Sequence, residues 1–467
     1  MNRVLSARIH FSIATLFAVL LLIAPKSHAA DTLPDKLSDE AFWKLIATLS
    51  EPDGTFQSEN LLSNETDYPR ITAALKRTAT SGRAYLGVGP EQNFNYIAAI
   101  RPKIAFIIDI RRQNMLEHLM YKALFELSPD RISFISRLFS RQQPLGLTDG
   151  LTAAELLDGY SEVPPDKALF ERNLKDVESL LIGTHKFPLT PEDRFHLSGV
   201  YAAFRDFGPL IDYNSRGGGP SGRAFSPSYA RLMTETDGSG KEWSYLASEA
   251  NYRAVRDLEA QNLIVPLTGD FGGPKAIRAV GQYLKDHDAM VSAFYLSNVE
   301  GYLFQGGDRR GNRNGGAAGF YDNAATLPLD KTSTFIRWIP GRQDIDTSIS
   351  LSPILTTIDD FNAGRFTAAD VLRWRGPGRQ RGIVGAFLNR NPRSDFQEPR
   401  WITTATDWRV LPFLAVPLAF MVRWFKWRWR DAGESLGRRV LYSSMWAAGA
   451  YIAARVFLFF ISRVVAG

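Results

Sequence analysis

The chain has 467 residues, 45% of them hydrophobic and 22% charged, enough for one large domain or two ordinary ones with a full core. It contains no cysteine. That excludes disulfides, thiolate metal sites, a cysteine nucleophile and a lipidated cysteine anchor. The net charge of +6 is carried by the ends: residues 1–30 hold +3 and 400–467 hold +7, which leaves −4 for 31–399. Such placement points to membrane topology and away from a nucleic-acid partner.

Residues 1–30 read as a signal peptide or an uncleaved anchor. Arg3 and Arg8 precede the apolar run from Phe11 to Ala24, and Ser27-His28-Ala29 supplies small residues before a cleavage point. Residues 31–80 form an N-terminal helical segment, with apolar positions at helical spacing over Leu37 to Leu49 behind a Ser38 cap. The polar clusters Ser58-Glu59-Asn60 and Ser63-Asn64-Glu65 read either as a lid or as a capped surface loop.

Residues 81–375 carry the α/β signal. Arg83-Ala84-Tyr85-Leu86 leads as a strand into the turn Gly87-Val88-Gly89-Pro90-Glu91-Gln92-Asn93-Phe94. A short helix follows, and Lys103 to Ile108 is a second strand ending on Asp109. Glycines at such a turn let a backbone approach a ligand, and an acid at the next strand tip accepts ribose hydroxyls. Asn114 to Phe139 reads as one helix and opens a largely helical insertion at about 112–245, with further helices at Pro165 to Leu181 and Pro191 to Phe207. The Gly-Gly-Gly-Pro run within Asn214 to Gly222 reads as a linker, because no Lys-Ser/Thr follows it to make a phosphate loop.

Alternation returns with a helix at Ser248 to Gln261 and a strand at Asn262 to Leu267 that ends in Thr268-Gly269-Asp270-Phe271-Gly272-Gly273. A helix over Pro274 to Leu284 leads to a strand at Ala289 to Leu296, then Ser297-Asn298-Val299-Glu300. Gln305 to Gly319 is a Gly-rich loop with Arg309, Arg310 and Arg313, and Thr332 to Ile339 is a further strand. In an open parallel sheet Asp109, Asp270 and Asn298 would share one edge. Residues 376–407 read as a linker. Within 408–465, the apolar run Val410 to Val422 and the longer Leu441 to Ile461 flank a basic segment. They predict a membrane helical hairpin with its loop in the cytoplasm, or a pair of amphipathic helices lying on the bilayer surface or packing on the domain. The expected location is a bacterial inner membrane with the main domain periplasmic or otherwise external.

These motifs resemble the Rossmann-like class I S-adenosylmethionine-dependent methyltransferases. The chain is also similar to an uncharacterised bacterial family with the Gly-Pro-Glu-Gln-Asn-Phe turn. The first resemblance implies an α/β Rossmann-like sheet and S-adenosylmethionine as cofactor, without a metal. Gly87, Gly89, Pro90, Gln92 and Asn93 would form the cofactor turn and Asp109 would hold the ribose. Asp270 and Phe271 would lie near the adenine, and Asn298 and Tyr295 near the reacting centre, with Glu300 a further group to orient a nucleophile. Three departures stand against it. Tyr85 and Leu86 replace the acid before the turn, the third glycine is absent from Glu91-Gln92-Asn93, and about 150 residues separate the second and third strands.

Two functions follow as expectations. One is a membrane-anchored methyltransferase-like enzyme of unknown substrate. The other is an exported, non-catalytic ligand-binding or degenerate methyltransferase-fold domain, since an external compartment is not expected to supply the cofactor. The six histidines show no metal-binding spacing, and no Gly-x-Ser-x-Gly elbow is present.

Overall fold

Short apolar runs bounded by glycine and polar turns pair into the sheet that the alternation demands. The computed structural model describes residues 32–56, 58–213, 215, 226–305, 315–338 and 348–372. Six strands, β1 (Ala84–Gly87), β2 (Ile104–Asp109), β3 (Ile264–Thr268), β4 (Val291–Ser297), β5 (Thr334–Trp338) and β6 (Ile349–Pro353), form one sheet in the order β3-β2-β1-β4-β5-β6. All neighbouring pairs are parallel except β5 with β6, which makes the sheet mixed. Every residue of β1, β2 and β3 is buried, the condition under which continuous apolar strands are stable. Pro266 has no N–H to give a ladder, and β3 tolerates it because it is an edge strand of the sheet.

Strand order reverses between β1 and β4, so a crevice opens beyond the carboxyl ends of these strands. The register pairs Gly87 with Ile107, Asp109 with Thr268 and Leu86 with Phe294. Segments leaving β1, β2, β3 and β4 therefore all emerge on that one edge.

Helices α1 (Asp39–Leu49), α2 (Tyr68–Thr78), α3 (Gln92–Ile100) and α4 (Arg112–Glu126) flank the first two strands in the chain, α1 packing on β3, α2 on β6 and α4 on β2 and β3. Ser38 caps α1, its hydroxyl accepting from Ala41 N at 3.1 Å. The single helix predicted over Asn114 to Phe139 is two. Pro129 lacks an N–H and disfavours helical backbone at Ser128, so α4 stops and α5 (Arg131–Phe139) restarts on Asp130, which accepts from Ser133 N at 2.7 Å. Then come α6 (Ala153–Ser161), α7 (Lys167–Glu178) with a π-helical turn at Ser179–Thr184, α8 (Pro191–Phe207), α9 (Tyr229–Thr234) and α10 (Glu249–Ala260). α4 packs on β2, β3 and α10, so it belongs to the layer over the sheet, and α8 stacks outside it.

The chain closes with α11 (Ala276–Asp286), α12 (Val299–Gln305), α13 (Gly315–Ala324), α14 (Ile354–Asn362) and α15 (Ala368–Leu372). α2, α3, α10 and α4 pack in one row, and α1, α11, α13 and α14 pack in another, covering the two faces. Among the described residues no helix is long and apolar enough to cross a membrane. The predicted signal, linker and hairpin, the Arg309–Arg313 loop and most of the Gly-Gly-Gly-Pro run lie outside the described residues.

Candidate functional site

The turn after β1 is built around one side chain. Asn93 Nδ2 donates to the carbonyls of Val88 (3.0 Å), Gly89 (3.0 Å) and Pro90 (2.7 Å), and its Oδ1 accepts from Tyr85 Oη at 2.9 Å. Gly87 is required by that packing. A Cβ at Gly87 would stand 1.9 Å from Asn93 Oδ1. Gly87 and Asn93 are absent from the cavity wall and hold the turn together from behind. Gly89, at φ +73°, does face the cavity, and His118 Nε2 meets its carbonyl at 2.9 Å. A carbonyl only accepts, so this nitrogen carries the proton. Burial pulls the His118 imidazole down to about 4, so the ring is neutral at physiological pH.

One cavity collects the four strand ends. Gly89, Pro90 and Gln92 line it from the β1 turn, and Asp109 and Arg111 line it after β2. Asp270 and Phe271 follow β3, while Tyr295, Ser297 and Asn298 close β4. The cavity holds about 880 Å³ free of protein atoms, counting its open mouth. Ser297 adopts φ +48°, a left-handed backbone unusual for serine, and such strain concentrates at functional sites.

The roof is the N-terminal strap, Ser50 to Asp67. It crosses the sheet edge and is pinned in strand order. Glu51 N donates to Thr268 O at 2.7 Å, and its carboxylate takes the backbone N–H groups of Asp270, Lys275 and Ala276 at 3.1, 2.8 and 2.8 Å. That carboxylate explains Gly273, whose Cβ would lie 2.4 Å from Glu51 Oε2. Gly54 N donates to Ile110 O at 2.9 Å, and Arg111 Nη1 donates to the carbonyls of Ser58 and Glu59. Ser63 N donates to the Glu91 carboxylate at 3.1 and 3.3 Å. Tyr295 Oη and Ser297 Oγ donate to Glu65 at 2.9 and 2.6 Å. Ser348 N and Oγ donate to Asp67 at 2.9 and 2.8 Å. Phe56, Asn60, Ser63 and Asn64 thereby enter the cavity wall, so the polar clusters flagged in the sequence do lie over the crevice.

Carboxyl groups on and beneath the strap are held in unusual states. Burial pushes Glu65 up to about 7, against the pull of Ser297 and Tyr295. Burial likewise pushes Glu91 up to about 8. Glu117, buried on α4 with Glu91, Asp109 and Glu59 acting on it, lies well above the ordinary carboxyl range, burial being the first cause. None of these three was assigned a role in the sequence, where burial cannot be read residue by residue.

Asp109 is engaged by its own neighbour. Oδ1 accepts from Arg111 N (2.9 Å) and Nε (3.1 Å), and Oδ2 from Nη2 at 3.3 Å. A carboxylate has about four acceptor positions. Three are taken, so one is left for a ligand hydroxyl. Arg111 was not anticipated, although an arginine two residues after an acid was visible. Glu300, expected to orient a nucleophile, is instead buried in a pair with Arg337 at 2.7 and 2.8 Å, with Tyr321 Oη also donating to it. Among the described residues no group of three His, Asp or Glu could hold a metal ion.

Residues 61–156 and 220–354, just under half of the chain, match the family model of a domain of unknown function, DUF7790. The matched segments hold all six strands and most of the cavity wall, whereas α7 and α8 of the helical region fall outside them. No curated protein matches the chain.

Proposed function

We propose that the strap-covered cavity binds an adenosyl ligand, S-adenosylmethionine, and that the domain is methyltransferase-like with an unknown methyl acceptor. The observation that carries this reading is the convergence of Gly89, Asp109, Asp270 and Asn298, from four separate strand ends, on one cavity at the reversal of strand order. The donor set suits the ligand. The remaining acceptor position on Asp109 would take one ribose hydroxyl. Gln92 Oε1, buried in the wall, has no partner among the described residues and offers a second acceptor. Ile110 and Phe271 give apolar walls for a base, with Asp270 at the rim. When bound, the cofactor would supply an electrophilic methyl group, and the wall would orient the acceptor facing Tyr295 and Asn298.

A second reading is a non-catalytic binding domain. The Arg111 pairing favours it, because Asp109 then has room for one hydroxyl where two are presented. Export with a membrane anchor and an external main domain, the topology proposed from the terminal charges, favours it as well. Isothermal titration of the full-length protein with S-adenosylmethionine tests the binding claim. Heat is expected for the wild type and none for Asp109→Ala. No heat from folded wild-type protein would refute the adenosyl reading. Label from methyl-labelled cofactor appearing on a co-purified acceptor would separate the enzyme from the binding domain.

A further inference from the structure

We propose that Glu65, acting through the hydroxyls of Tyr295 and Ser297, is the counter-charge of a subsite that takes a cationic group of the ligand in preference to its neutral counterpart. This rests on the adenosyl reading and sharpens it to the sulfur. S-adenosylmethionine carries a sulfonium where S-adenosylhomocysteine carries a thioether.

The geometry comes from three segments. Glu65 belongs to the strap, is 4% exposed, and sits behind the two hydroxyls. Tyr295 and Ser297 both line the cavity, and the hydroxyl of each gives its proton to a different oxygen of Glu65. Their lone pairs, not their hydrogens, are therefore left for the cavity, so the wall carries the negative end of both O–H dipoles with a carboxylate in line. Aromatic rings add to this. Phe56 and Tyr302 form an edge-to-face pair at 5.2 Å, and both border the same space. Ring faces attract cations, and since the Arg111 guanidinium already lies over the Phe56 ring at 5.7 Å, the ring offered to a ligand is Tyr302. The one basic side chain among the described lining residues, Arg111, is matched by Asp109 at 3.1 Å. No described lining group thus opposes an incoming positive charge without its own counter-ion.

Glu65 faces Asp67 on the strap itself, Tyr85 from β1, Glu91 from the turn, Tyr96 from α3 and Tyr295 from β4. With burial raising Glu65 to about 7, the counter-charge is present above that pH and absent below it. A unit charge roughly 7 Å away, at an effective dielectric of roughly 35, between the protein and water limits, changes affinity by about tenfold.

The test is calorimetric titration of the full-length protein with S-adenosylmethionine and, separately, S-adenosylhomocysteine, at pH 6 and pH 8. Wild-type affinity for the sulfonium should rise about fivefold from pH 6 to pH 8, since ionisation is incomplete at both ends, while the thioether stays level. Glu65→Gln should weaken the sulfonium about tenfold at pH 8, leave the thioether unchanged and remove the pH response. Glu91→Gln should retain that response. Equal pH responses for the two ligands, or an unchanged ratio in Glu65→Gln, would overturn the subsite and leave the adenosyl reading standing. Binding of neither ligand would overturn both. Thioether binding reports whether Glu65→Gln is folded. If it is not, the wild-type difference between the two ligands decides alone.

Discussion

Gly87 and Asn93 should behave as a single unit, and a double-mutant cycle measures it. Asn93→Ala withdraws two amide hydrogens and one acceptor from four buried partners, the Val88, Gly89 and Pro90 carbonyls and the Tyr85 hydroxyl. The Gly89 carbonyl keeps His118. Three buried groups left unpaired at roughly 1–3 kcal/mol each put the loss at about 3 kcal/mol or more. Gly87→Ala places a Cβ 1.9 Å from Asn93 Oδ1, so the amide must leave its seat. Its cost should approach that of Asn93→Ala. In the Asn93→Ala background the nearest remaining obstacle is Tyr85 Cε1 at 3.0 Å, which a small ring shift relieves. There Gly87→Ala should cost only about 1 kcal/mol. Urea unfolding of the wild type, both single variants and the double variant gives the coupling, expected at about 2 kcal/mol or more. Additive costs would show that Gly87 is small for another reason and refute the account of the turn.

Arg337→Met strands the Glu300 carboxylate, which is 1% exposed, and should cost about 3–5 kcal/mol in the same unfolding assay. A loss below about 1 kcal/mol would contradict the pairing. Glu91 makes stability depend on pH. The folded state holds its proton more tightly than the unfolded chain, so this group's contribution is full below about pH 4.5 and falls as pH rises to about 8. Glu91→Gln should therefore gain on the wild type across that window. A pH-independent difference between the two would remove Glu91 as a buried acid.

The parallel strands were legible because each is a short, largely apolar run, and β1, β2 and β3 are closed by glycine or an acid, which local pattern records well. β6 was not. Ile349-Ser350-Leu351-Ser352-Pro353 alternates polar and apolar residues beside a proline, and what makes it a strand is its pairing with β5. The strap was legible only as polar clusters. Glu51, Arg111, Glu91 and Glu65 find partners between 28 and 232 positions away, and no periodicity marks such contacts. The glycines misled in one respect. Gly87 looked like a ligand-facing gap, and its space is filled by Asn93. A glycine reports that something comes close, without saying whether it is a ligand or the protein's own side chain.

A crystal structure of the full-length protein grown with S-adenosylmethionine tests the cavity assignment most directly. The account predicts the ligand beneath the strap, its ribose within hydrogen-bonding distance of Asp109 Oδ2 and its sulfur beside Tyr295 and Ser297. Ligand bound away from the strand ends of β1, β2 and β4, or that crevice left empty at saturating cofactor, would contradict it.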